Sequence, residues 1–308
     1  MRDLEILYHI FRVTPLRWTG VTSVGRLLLA VIHSDIVLVW GMTGQAAIAA
    51  LVLAKTLRKT TVFVAVGSEV SADTRIHDSD PLAAIRFLFA KVAIRFVDCV
   101  VANSQFTLLD VLNISRPKRF AVLYHGIDTR VFNFQKCEKD VVLTVAASPA
   151  SDYLWRKGVD RFLKVASLLP NRRFVLAGGG GANQTLRKMP ASNVIVTGEL
   201  NDLTPLFQRA RFYLQLSRHE GFGVAVAEAM ACECVPIVSD AGALPEVVGD
   251  CGVVVRNGDP VESAKAIEEL WDQRDKLGEA ARNRVVRLYS LERRIYGFKK
   301  LLTNLSCL

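Results

Sequence analysis

Ile36-Val37-Leu38-Val39-Trp40-Gly41 is an unbroken apolar run closed by a glycine, and Thr61-Val62-Phe63-Val64-Ala65-Val66-Gly67 repeats the pattern after an alanine-rich segment reaching about Leu57. Short continuous apolar runs of this kind read as strands covered on both faces. A helix between two such strands is a crossover, so the strands are parallel and the fold class is α/β. Residues 36–53 are the most apolar part of the chain, but Gly41, Thr43, Gly44 and Gln45 interrupt them, which suits strand, turn and buried helix better than a membrane span.

Outward from this core the alternation continues. Cys99-Val100-Val101-Ala102 forms a third strand ending in Asn103-Ser104, and residues 121–124 a fourth before His125-Gly126. Residues 81–97 predict a helix carrying Arg86, Lys91 and Arg95 on an apolar body. Such a helix can dock on an anionic membrane; the preferred reading is a buried helix whose basic side chains reach out to water. Asp78-Ser79-Asp80, just ahead of it, has a metal-binding D-x-D form, but Pro81 follows directly and a helix cap explains it better.

The mixed polar residues 129–139 are expected to link two domains, 1–134 and 135–308. In the second, strands are expected at 141–146, 173–177, 194–197, 212–216 and 235–239, and Gly178 to Gly181 close one of them. Asp259-Pro260-Val261-Glu262 predicts a capped helix start, and a last helix is expected from Ser290. No internal repeat is evident beyond the two α/β halves.

Composition narrows the function. At 51% hydrophobic and 22% charged the chain is globular, and its net charge of +9 favours an anionic partner, with a nucleotide ranked ahead of nucleic acid. The six cysteines and five histidines lack metal-site spacing, so core packing is the expected cysteine role and no metal is expected. Met1-Arg2-Asp3-Leu4-Glu5 does not open a signal peptide, and the expected location is cytoplasmic, with peripheral membrane association through the basic first domain left open.

The chemistry concentrates in His219-Glu220-Gly221-Phe222-Gly223-Val224-Ala225-Val226-Ala227-Glu228. A helix starting near Gly223 offers amides and a partial positive charge to a phosphate or sugar hydroxyl, and Gly221 and Gly223 admit a ligand close to the backbone. Glu220 precedes that helix and Glu228 falls in its second turn, so both can face one crevice. A carboxylate at Glu228 on so apolar a helix is costly without a partner.

Taken together, Glu220 to Met230, Pro236-Ile237-Val238-Ser239 and Pro245-Glu246-Val247-Val248 resemble the retaining glycosyltransferases of family 4, the glycosyl transferases group 1 domain. Glu220 and Glu228 match the family's E-x7-E element, Trp155-Arg156-Lys157-Gly158-Val159-Asp160 resembles its basic-Lys-Gly element, and Ala102-Asn103-Ser104 its interior serine motif. His125 stands where asparagine is usual in the hinge approach Tyr124-His125-Gly126-Ile127-Asp128. The resemblance implies the GT-B architecture, two Rossmann-like domains facing each other across a cleft. It implies a retaining, metal-independent, hexosyltransferase-type enzyme whose nucleotide-sugar donor (UDP- or GDP-linked) is a substrate, with no cofactor. It further implies that Arg156 and Lys157 hold the donor diphosphate, that Glu220 is catalytic, and that Gly221 and the amides of Phe222, Gly223 and Val224 contact the transferred sugar. Glu228 would meet the ribose. The acceptor, whether glycan, lipid or small molecule, is unknown.

This chain departs from the family in its first half. Val66 occupies the position of a frequent histidine, Ser151 that of a frequent basic residue, and no opening strand with a glycine loop precedes the strand expected over 4–13. A shortened first domain is therefore expected. The competing expectation is a catalytically weak nucleotide-sugar-binding or partner subunit of a glycosyltransferase complex.

Overall fold

Every strand pairing among the described residues is parallel, as apolar runs joined by helices require. The structure, a computed structural model, describes residues 7, 11–15, 24–41, 45–71, 83–135, 137–148, 150–178 and 192–306. Asp78-Ser79-Asp80 and residues 179–181 lie outside them. Of the strand expected over 4–13, the described part shows Phe11 N donating to Leu7 O at 2.8 Å, a helical bond and not a strand.

The chain forms two units, Met1–Gly126 with Glu292–Leu308, and Ile127–Leu291. In the first, α1 (Val24–Ile32), β1 (Ile36–Trp40), α2 (Gln45–Thr56), β2 (Thr60–Ala65), α3 (Ala83–Phe96), β3 (Cys99–Ala102), α4 (Gln105–Ile114) and β4 (Phe120–Val122) build a sheet of order β1-β2-β3-β4. Phe63, Ala65, Ala90, Ile94, Val100 and Val111 form its core. Asp98, after α3, ties the elements together by accepting from Lys55 Nζ at 2.6 Å and from Thr61 N and Oγ1, both at 2.9 Å. Burial opposes its ionisation, yet these bonds hold its pKa below the ordinary value.

The second unit contains β5 (Val141–Ala146), α5 (Ser151–Arg156), α6 (Val159–Leu168), β6 (Arg173–Gly178), β7 (Val194–Gly198), α7 (Thr204–Arg209), β8 (Ala210–Gln215), α8 (Val224–Ala231), β9 (Val235–Ser239), α9 (Leu244–Val248), β10 (Val253–Val255), α10 (Pro260–Leu270) and α11 (Arg274–Leu288). Its sheet order is β10-β9-β8-β5-β6-β7. Asp259 caps α10 as expected, accepting from Val261 N at 2.8 Å and Glu262 N at 2.9 Å.

Three expectations change. The stretch 129–139 belongs to the second unit and is no loose linker: Phe132 is buried edge-on to Phe207, ring centroids 5.9 Å apart, and Lys139, 2% exposed, donates to Ala210 O and Cys232 O. The division at 134/135 moves to 126/127, and α12 (Leu291–Ser306) returns to the first unit, where Arg294 donates to Leu123 O at 2.6 Å. Burying Phe132 and satisfying Lys139 outweigh the polar composition of the segment. The third change is α3. Ala90, Ala93, Ile94 and Val97 are buried, but Ile85, Leu88, Val92 and Phe96 are not.

Candidate active site

An open parallel sheet has its crevice where adjacent strands send their connections to opposite sides. Here the order reverses between β5 and β8. The connection from β5 runs through α5 to Lys157, and that from β8 runs to Glu220. The two side chains meet, Lys157 Nζ donating to Glu220 Oε2 at 2.7 Å, with side-chain exposures of 17% and 14%. Burial works against the Lys157 ammonium, but the Glu220 carboxylate beside it prevails and its pKa stands above the ordinary lysine value.

Two glycines let the loops approach this closely. Gly158 has φ +71°, and a Cβ there would lie 2.0 Å from Leu216 O; Gly242 has φ +62°, and a Cβ there would lie 2.1 Å from Glu220 O. In the space so left, Ala243 N donates to Glu220 O at 2.9 Å and Arg218 N to Arg156 O at 2.8 Å. Arg218 also grips Asp160 through two 2.8 Å bonds and stacks 4.3 Å from the Trp155 ring centroid. Burial disfavours ionised Asp160, yet Arg218 brings its pKa below the ordinary carboxylate value.

Behind Glu220 runs a buried polar chain. Tyr213 Oη donates to Gln215 Oε1 at 2.9 Å, while Gln215 Nε2 donates to Ser217 Oγ at 2.7 Å and to Glu220 Oε2 at 3.3 Å. Burial, then the nearby charges of Glu220 and Glu228, push the Tyr213 phenol well above its ordinary pKa. It stays a neutral donor with both carboxylates around it.

The remaining expected residues gather here too. Gly223 caps α8, whose first residue is Val224, and Glu228 in that helix is 6% exposed. Gly221 and Phe222 lie in the loop before it; the Phe222 ring is core, packed edge-on to Tyr289 at 5.3 Å. Arg156 lies 5.1 Å and Lys157 5.8 Å from the Tyr153 ring centroid. Tyr213, Gln215, Arg218 and Gly242 are not among the residues that the sequence motifs single out; Asp160 closes the basic-Lys-Gly element. The signal for the first two is present, since Tyr213 and Gln215 interrupt the otherwise apolar, buried stretch 212–216.

In the first unit, the carboxyl ends of β2, β3 and β4 are joined by side chains. Asn103 Nδ2 donates to Val66 O at 2.9 Å and lies 3.4 Å from His125 Nε2. Glu69 accepts from Val66 N at 2.6 Å, and burial raises its pKa. Among the described residues no group of three or more His, Cys, Asp or Glu could hold a metal, and no helix is long and apolar enough to cross a membrane.

This architecture is that of solved GT-B glycosyltransferases. Sucrose-phosphate synthase from Thermosynechococcus elongatus superposes with a TM-score of 0.75 at 17% identity, covering 96% of this chain and 82% of that one. HepE from Anabaena, solved in complex with UDP, gives 0.76 at 17% identity, covering 91% and 81%. At the sequence level, residues 139–273 match the family Glycosyl transferases group 1. Curated relatives include a phosphatidylinositol N-acetylglucosaminyltransferase subunit of Arabidopsis thaliana, 27% identical over 56% of this chain and 41% of the relative. Another is the lipopolysaccharide core biosynthesis mannosyltransferase LpsB of Rhizobium meliloti, 27% identical over 65% of this chain and 62% of the relative. The chain thus spans less than two thirds of the length of these relatives.

Proposed function

We propose that this chain is a glycosyltransferase that takes a sugar from a UDP- or GDP-linked donor and passes it, with retention of anomeric configuration, to a glycan or lipid acceptor. The observation that carries this reading is the buried Lys157–Glu220 pair at the strand-order reversal of the second sheet, within the residues that match the group 1 family. A diphosphate entering the crevice competes with Glu220 for the Lys157 ammonium, and Arg156 adds a second cation. Glu220, released from the pair, accepts from hydroxyls of the transferred sugar, beside the backbone of Gly221, Phe222, Gly223 and Val224. Glu228 accepts from the nucleotide ribose.

As the bond between the anomeric carbon and the diphosphate breaks, negative charge grows on the leaving group and the sugar gains oxocarbenium character. Fixed cations stabilise that state more than the ground state. The acceptor oxygen bonds to the anomeric carbon on the face the diphosphate leaves, and its hydroxyl proton passes to an oxygen of the departing diphosphate. Neither a metal nor a cofactor has a part in this scheme.

The test is titration calorimetry with UDP and GDP, followed by donor hydrolysis and transfer assays with and without a divalent-ion chelator. Nucleotide binding with chelator-insensitive turnover is expected. Binding without hydrolysis or transfer would assign the chain to the partner-subunit reading, and absence of binding to either nucleotide would overturn both.

A further inference from the structure

A helix that is apolar all round is normally buried on all sides. Helix α3 is not: Ile85, Leu88, Val92 and Phe96 are 51%, 59%, 47% and 60% exposed, and Phe89 is 39% exposed. At 100° per residue these five fall on one stripe, about 100° wide, opposite the face formed by Ala90, Ile94 and Val97. Lys91 and Arg95, both exposed, run along one border of it. No acidic residue occurs in the sequence between Asp80 and Asp98, and Asp98 is itself paired with Lys55 and Lys118.

The neighbouring helices extend the surface. Consecutive parallel strands in the order β1-β2-β3-β4, joined by right-handed crossovers, put α2, α3 and α4 on one side of the sheet with α3 in the middle. On the outward sides of α2 and α4, Val52 is 62% and Leu109 59% exposed.

The charge of the molecule is concentrated in this unit. Met1–Gly126 with Glu292–Leu308 holds 18 basic and 10 acidic residues, against 21 and 20 in Ile127–Leu291. Two copies brought together through this face would set like charge against like charge. An anionic partner with an apolar interior meets no such cost.

From the stripe, its basic border and the one-sided charge, we infer that the outward face of α3 seats on an anionic lipid bilayer. Ile85, Leu88, Val92 and Phe96 enter the headgroup–acyl boundary, and Lys91 and Arg95 lie against the headgroup charges. The surface is independent of the donor site.

Flotation with phosphatidylcholine vesicles, pure or containing about 30% phosphatidylglycerol, tests it on the full chain. Binding is expected to the anionic vesicles and to weaken as salt is raised. Lys91→Glu with Arg95→Glu should lower the affinity by about 30-fold or more, and Leu88→Ser with Val92→Ser and Phe96→Ser should abolish it. All five side chains are exposed, so UDP binding should survive in both variants, while Lys157→Ala should lose donor affinity and still float. Failure to float at low salt, or flotation unchanged in the serine variant, would overturn the inference. So would a dimer in sedimentation that the same serines dissociate, since that gives the face to a second copy.

Discussion

Lys157 Nζ lies 2.7 Å from Glu220 Oε2 in a crevice that leaves each side chain less than one-fifth exposed. Removing either partner strands a charge, but the two losses differ in kind. Lys157→Met should raise the UDP dissociation constant by about 10- to 100-fold, the worth of one or two charge-assisted bonds to phosphate. Glu220→Gln should leave UDP affinity within about threefold and bring transfer to background. Calorimetry and a transfer assay separate these; wild-type turnover in Glu220→Gln removes that residue from the chemistry.

The pair also has a pH signature. A lysine whose folded pKa stands above its unfolded value of 10.5 contributes stability that is complete below that value and lost as pH rises through the folded one. The difference in thermal midpoint between wild type and Lys157→Met should therefore stay constant from about pH 7 to 9.5 and shrink only above that. A difference that declines already near pH 8 would contradict a raised pKa.

Gln215 is a positioning residue in the proposed scheme. It accepts from Tyr213 and donates to Ser217 and Glu220, so it sets the direction in which the Glu220 carboxylate points. Gln215→Leu should reduce kcat by about 10-fold with little change in KM, because the diphosphate contacts remain. Gln215→Asn should recover part of that loss where a purely structural role would give none. An effect confined to KM would place the network in ground-state binding instead.

Glycine substitutions separate close approach from mere flexibility. Gly158→Ala drives a Cβ onto Leu216 O from a left-handed conformation and should cost about 3 kcal/mol or more of stability. Gly25, in α1, has nothing among the described residues within 4 Å of the same added atom, and Gly25→Ala should stabilise by about 0.5–1 kcal/mol through helix propensity. Thermal unfolding of the two variants reads the contrast directly.

The parallel sheets are legible in the sequence because sheet strands between crossover helices need short, mainly apolar runs, and nine of them are visible between Ile36 and Ser239. Strand β10 is not, since Val253–Val255 is only three residues long. The helix α5 hides behind the motif it carries, and α12 cannot be assigned to its unit locally, because contacts such as Arg294 to Leu123 join residues 171 apart in sequence. At the site, residue types and spacing point to Lys157, Glu220 and Glu228. The bonds that orient them depend on which loop lies against which, and no local pattern encodes that. The sequence leaves α3 open between a buried helix and a membrane-docking one for a related reason: an apolar helix reads the same whether its second face is covered by protein or not.

One carboxylate outside the site is placed at a cost. Asp110, on α4, has its Oδ2 buried without a hydrogen-bond partner among the described residues, and burial raises its pKa from 3.8 to about 6. A carboxyl whose folded pKa exceeds its unfolded one favours folding fully below pH 3.8 and loses that advantage as pH rises through 6, so ionised Asp110 works against folding at neutral pH. Because the group is partly solvated, the penalty is discounted to about 1 kcal/mol. Asp110→Asn removes the charge at nearly constant volume. It should raise the denaturant midpoint at pH 7, and the gain should fade as pH drops below 6 and vanish near 4; an equal gain at pH 4 and pH 7 would show that packing, not ionisation, is what the substitution relieves.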